Sequence, residues 1–108
     1  MYEVSITIII SHSIRVTTKR ILKKHNIKSK LPSGFSGMTV NVGFNKYYII
    51  LKSSPDYNTI LHEIYHVVRM ITDDRLIKEE ESIAWVQGYI GEKIFKFLID
   101  KGIKINLS

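Results

Sequence analysis

The sequence predicts an α+β fold, built as a small, mainly antiparallel sheet with a backing helix and two long helices laid against it. Three observations lead there. Val4, Ile6, Ile8 and Ile10 alternate with polar Glu3, Ser5 and Thr7, two β-rich runs flank Asn45, and most of the second half carries apolar residues at helical spacing. A length of 108 residues is common for one domain and short for a second hydrophobic core, so residues 1–108 are read as a single domain. The 44% hydrophobic fraction, with two prolines and six glycines, is that of a folded chain rather than a disordered one.

Taken in order, 2–10 has the two-residue period of a strand with one buried face. Residues 14–25 place Ile14, Ile21 and Leu22 among Lys and Arg, the pattern of a helix with a basic side in water. Residues 26–37 contain Pro32, Ser33, Gly34 and Gly37 and read as a loop. Runs 38–44 and 46–52 predict a hairpin turning at Asn45, the second strand being the stronger because it carries Tyr47, Tyr48, Ile49, Ile50 and Leu51. Ser54-Pro55-Asp56 is a helix opening, with side-chain oxygens for free N–H groups and a proline that the first turn tolerates. The helix it opens runs to about Thr72, and a second spans about Lys78 to Lys101 with Gly102 as its stop. Ile103, Ile105 and Leu107 then alternate as a short final strand.

Sixteen Lys and Arg against ten Asp and Glu give a net charge of +6, a bias towards anionic partners. The positive charge concentrates at Lys19, Arg20, Lys23, Lys24, Lys28 and Lys30, and the negative at Asp73, Asp74 and Glu79 to Glu81. With no cysteine, disulfides and thiolate metal sites are excluded, which leaves histidine and carboxylate as the strong ligands. The apolar run Ile6 to Ile10 is too short to span a bilayer and has neither a basic leader nor a small-residue cleavage site. A soluble, intracellular product is expected.

The first long helix contains His62-Glu63-Ile64-Tyr65-His66, and a spacing of four puts both imidazoles on one face, where they can hold one zinc ion. Glu63 stands beside that position, able to take a proton from water and return it to a leaving group. On a helical layout Ile60, Ile64, Val67 and Ile71 form the core stripe, with Leu61, Tyr65 and Val68 on its flank, and the histidines point away from it. Two packed or solvated histidines are the plain alternative, and this layout argues against packing.

A zinc enzyme needs a third protein ligand and an open position, and Glu79-Glu80-Glu81 begins the next helix. Glutamates there also complement the helix dipole, which accounts for two of the three. The ligand role goes to Glu81, because Ala84, Trp85 and Gly88 follow on its side of the helix and the small residues permit close approach; Glu80 is the competitor. Trp85 and Tyr89, one turn apart, are read as core packing, with the wall of a cleft as the alternative. His12 and His25 are read as loop or surface residues.

Thr59-Ile-Leu-His-Glu-Ile-Tyr-His, followed after a short loop by Glu81-Ser-Ile-Ala-Trp-Val-Gln-Gly-Tyr-Ile, resembles small bacteriophage-encoded metallopeptidases of the gluzincin (HExxH…E) type. The resemblance spans roughly Thr59 to Leu98, with the HExxH segment its most specific part. It implies two zincin-type site helices, zinc bound by His62, His66 and Glu81, Glu63 as general acid and base, and peptide-bond hydrolysis. It further implies that 46–52 is an edge strand pairing with extended substrate. The chain departs from thermolysin-like members in the short separation of the motifs and in Trp85, which stands where those enzymes place an aspartate. Tyr65, Arg69, Arg75 and Tyr89 are candidates to stabilise an oxyanion, each also readable as surface or packing.

Two further readings compete with the peptidase. One is a non-catalytic structural or assembly component of a phage particle, retaining the fold and the metal. The other is nucleic-acid association through the basic helix and loop, although no aromatic interleaves those six cations and such runs commonly form a solvated face. The expected partners are thus a peptide or protein substrate, a phage structural protein or nucleic acid, with no membrane, in the infected cell's cytoplasm or in the virion.

Overall fold

A computed structural model describes residues 4–28, 36–43 and 45–106. The element order is β1 (Ser5–Ser11), α1 (Ile14–Lys24), β2 (Gly37–Gly43), β3 (Lys46–Lys52), α2 (Tyr57–Asp74) and α3 (Glu80–Asp100). The α+β class holds. The expectation of a mainly antiparallel sheet is corrected, because the order is β1-β3-β2 and the sheet is mixed: β2 runs antiparallel to β3, as the hairpin requires, whereas the crossover through α1 sets β1 parallel to it, Ile8 opposite Ile49. Segments 29–35 and 107–108, Tyr2, Glu3 and Phe44 lie outside the described residues.

Strand β3 takes the centre because both its faces are apolar. Tyr47, Ile49 and Leu51 join the core formed with α2 and α3, while Ile50 turns to the opposite side, where Ile14, Ile21 and Leu22 of α1 pack with Val40. The expected substrate-pairing edge at 46–52 is therefore corrected: that run is internal, and the edge strands are β1 and β2. Of the predicted final strand, Leu107 lies outside the described residues, and 103–106 contributes one parallel bridge, Asn106 with Asp56, and no strand among the described residues.

The helix starts follow their capping chemistry. Ser13 accepts from the Val16 N–H at 3.3 Å, Asp56 from the Thr59 N–H at 2.7 Å, and Glu79 from the N–H groups of Glu81 and Ser82 at 3.0 and 2.7 Å. All three helices end alike, on a residue at positive φ followed by a backward hydrogen bond from the next N–H. Asn26, Leu76 and Gly102 take φ of 57°, 56° and 71°, and Ile27, Ile77 and Ile103 donate to Leu22, Thr72 and Leu98. The predicted stop at Gly102 is thus met by its chemistry. Where α2 leaves the sheet, Tyr47 Oη donates to Asp74 Oδ2 at 3.0 Å and Arg75 donates to Asn45 Oδ1. Burial, then the Asp74 carboxylate, pushes the Tyr47 phenol above its ordinary pKa.

Candidate metal centre

Helix α2 buries Ile60, Ile64, Val67, Val68 and Ile71, and this fixes where its remaining residues point. His62 and His66 fall on the exposed side as expected, with ring centroids 4.6 Å apart and planes at 80°. Their Nε2 atoms approach to 3.0 Å. Two nitrogens bound tetrahedrally at about 2.0–2.1 Å from one zinc ion lie roughly 3.3 Å apart, so the pair has nearly the bite of a bidentate metal ligand. Without a cation, such an approach requires one ring to donate its N–H to the other. Leu61 and Tyr65, expected along the flank of the core, are instead exposed by more than half, and Tyr65 makes an edge contact with His66 at 6.0 Å between centroids.

Glu63 lies between the two histidines in sequence but turns to another side of the helix. It is only 4% exposed, and its Oε1 accepts a hydrogen bond from Thr39 Oγ1 on β2 at 2.6 Å. The same hydroxyl lies 3.3 Å from the Glu63 carbonyl oxygen. Gly37, two residues before Thr39 on the same strand face, makes the space for this carboxylate: a Cβ at Gly37 would stand 2.9 Å from Thr59 Cγ2 and 3.1 Å from both Glu63 Cγ and Oε2. Gly37 and Thr39 escape the sequence reading. A glycine and a threonine at strand spacing were visible, but the helix residue opposite them was not.

The proposed third ligand stands apart. Glu81 is exposed on α3 and shares an open face of that helix with Ala84, Trp85, Gly88, Tyr89 and Glu92, and neither histidine borders it. Among the described residues, no group of three or more His, Asp or Glu side chains gathers where one metal ion would touch them all. The structure thus brings together His62 and His66 and places Glu63 beside β2, while Glu80 and Glu81 occupy the exposed first turn of α3. Trp85 and Tyr89 are corrected from core to surface: Trp85 is 66% exposed, and the rings lie nearly parallel, 6.5 Å apart, on the open face of α3. Nine residues separate Glu81 from buried Ile90, about 180° around the helix, and the aromatic pair lies towards the Glu81 side.

The other oxyanion candidates have different neighbours. Arg69 pairs with Asp73 at 3.6 Å, Arg75 holds Asn45, and Lys93 Nζ lies 5.4 Å from the Tyr89 ring centre. Tyr65 alone of the four makes a ring contact with the histidine pair among the contacts described. No family profile, curated protein or solved structure matches the chain. Among the described residues, no helix is long and apolar enough to cross a membrane.

Proposed function

We propose that the chain is a zinc-dependent metallopeptidase-like protein of the gluzincin type. The observation carrying this reading is the exposed His62–His66 pair, its Nε2 atoms 3.0 Å apart on the helix that also carries Glu63. His62 and His66 bind the metal, and Glu81 is the proposed third donor with Glu80 as its competitor. Zinc, when bound, supplies Lewis acidity to a substrate carbonyl and to water. In this reading Glu63 is the general acid and base, one carboxylate oxygen restrained by Thr39, and reaching a metal-bound water requires its carboxylate to leave the buried position beside β2. The free edge of β2, adjoining Glu63 through Thr39, takes over the role first given to 46–52: it hydrogen-bonds an extended peptide through its backbone.

The exposure of Trp85 beside Tyr89 supports a second reading, in which this surface docks a phage structural protein and no peptide is cut. Incubating zinc-loaded protein with an unfolded protein substrate separates the two. The peptidase reading expects cleavage that a chelator abolishes and that Glu63→Gln lowers about 10²–10⁴-fold with the metal retained. Bound zinc with no cleavage would leave the assembly reading.

A further inference from the structure

The chain is electrically lopsided to a degree that the net charge hides. From Val4 to Pro55 there is no Asp or Glu, while the same stretch holds nine Lys and Arg. The fold turns this asymmetry in sequence into one in space. Helix α1 packs on one face of the sheet and α2 and α3 on the other, so the carboxylates of the two long helices lie across the sheet from the α1 cations.

On α1 itself, Arg15, Lys19, Arg20, Lys23 and Lys24 are all exposed, and Lys28 follows exposed after the helix. The Arg69–Asp73 ion pair, at 3.6 Å, is on α2, across the sheet from these cations. Arg15, Lys19 and Lys23 recur every fourth residue, which sets them in one row along the helix, about 6 Å of rise between neighbours.

We propose that the outer face of α1 binds the phosphate backbone of duplex nucleic acid. A row of cations with no carboxylate among them matches a line of phosphates in charge. The other polyanionic surface, an anionic membrane, suits this helix poorly. Membrane-surface helices insert Trp, Phe or Leu, but Ile14, Ile21 and Leu22 are already buried on the sheet and Val16 is the sole exposed apolar residue of α1. The helix has no aromatic for stacking on unpaired bases and no Asn or Gln for reading adenine edges, so the contact is with backbone and independent of base sequence.

The test measures binding of the full chain to two unrelated 20-base-pair duplexes by fluorescence anisotropy across a salt series. Three to five phosphate contacts predict a slope of log affinity on log salt of about −3 to −4.5, equal for both duplexes. Arg15→Glu/Lys19→Glu/Lys23→Glu should weaken binding at least about 30-fold. Lys78→Glu/Lys96→Glu/Lys104→Glu, the same charge change on exposed positions outside α1, should cost less than about 3-fold. If the reversal variant fails to fold by circular dichroism, Arg15→Gln/Lys19→Gln/Lys23→Gln replaces it, with a smaller loss and a shallower slope expected. The proposal is overturned by absence of duplex binding at low salt, by equal losses in the two charge-reversed variants, or by binding to phosphatidylserine vesicles but not to duplex. Self-association that only the α1 variant abolishes, without duplex binding, would equally overturn it by assigning the face to a second copy of the chain.

Discussion

A buried carboxylate is costly unless something bonds it, and Glu63, at 4% exposure, has the Thr39 hydroxyl at 2.6 Å. Thr39→Val keeps the shape and removes the donor, so it should destabilise the fold by about 1–3 kcal/mol in urea unfolding. In the Glu63→Gln background the same change should cost a different amount, and the difference measures the coupling between the Thr39 hydroxyl and the Glu63 side chain. Gly37→Ala should be destabilising as well, by about 1–3 kcal/mol, since the added methyl meets Thr59 and Glu63 inside contact distance. The histidine pair and its exposure were legible in the sequence, because a four-residue spacing and a helical stripe are local properties. The Glu63–Thr39–Gly37 contact joins residues 24 or more positions apart through the pairing of α2 with β2, and no local period encodes that.

At the scale of elements, the caps set an acid limit. Hydrogen bonds from Thr59 hold the Asp56 carboxyl below its ordinary pKa, and those from Ser82, then Glu81, do so for Glu79. Each therefore stays ionised in the fold to a lower pH than in the unfolded chain. Their contribution is complete above the unfolded value, about 4, and is lost as pH falls through the folded one. Urea unfolding repeated from neutral to acid pH should show Asp56→Asn flattening that decline, while asparagine keeps the capping oxygen.

Leu76 is the opposite case, a leucine at φ 56° with 78% of its surface in water. Left-handed backbone is unfavourable for leucine and the exposed side chain returns little, so Leu76→Gly should stabilise the chain by roughly 0.5–1 kcal/mol, read as a raised urea midpoint. Helix boundaries were read from the sequence to within a few residues because Asp56 and Gly102 announce them chemically. The wrong placements have different causes. The spacing of Trp85 and Tyr89 fits a core as well as a surface, the resemblance that implies an edge at 46–52 carries no strand order for this chain, and only the crossover through α1, which sets β1 beside β3, makes β3 central.

For the whole molecule, β3 is the common wall of two cores. Ile50 faces α1 and Leu51 faces α2 and α3, and both are completely buried. Ile50→Ala and Leu51→Ala should each cost about 2–5 kcal/mol, and the two cores should still unfold in one transition because they share this strand. Tryptophan fluorescence reports Trp85 on α3 and far-ultraviolet circular dichroism reports all three helices, so coincident midpoints check this. Loss of one signal before the other would mean that the two sides of the sheet are independent.

Metal content bears most directly on the central claim. Protein purified without added zinc, alongside Glu63→Gln, His62→Ala, His66→Ala and Glu81→Ala, is measured by elemental analysis. The account predicts about one zinc per chain in the wild type and in Glu63→Gln, and loss in either histidine variant and in Glu81→Ala. Retention by Glu81→Ala together with loss in Glu80→Ala would move the third ligand by one residue. A wild-type chain that neither carries zinc nor takes it up at neutral pH would contradict the metal centre, and with it the peptidase.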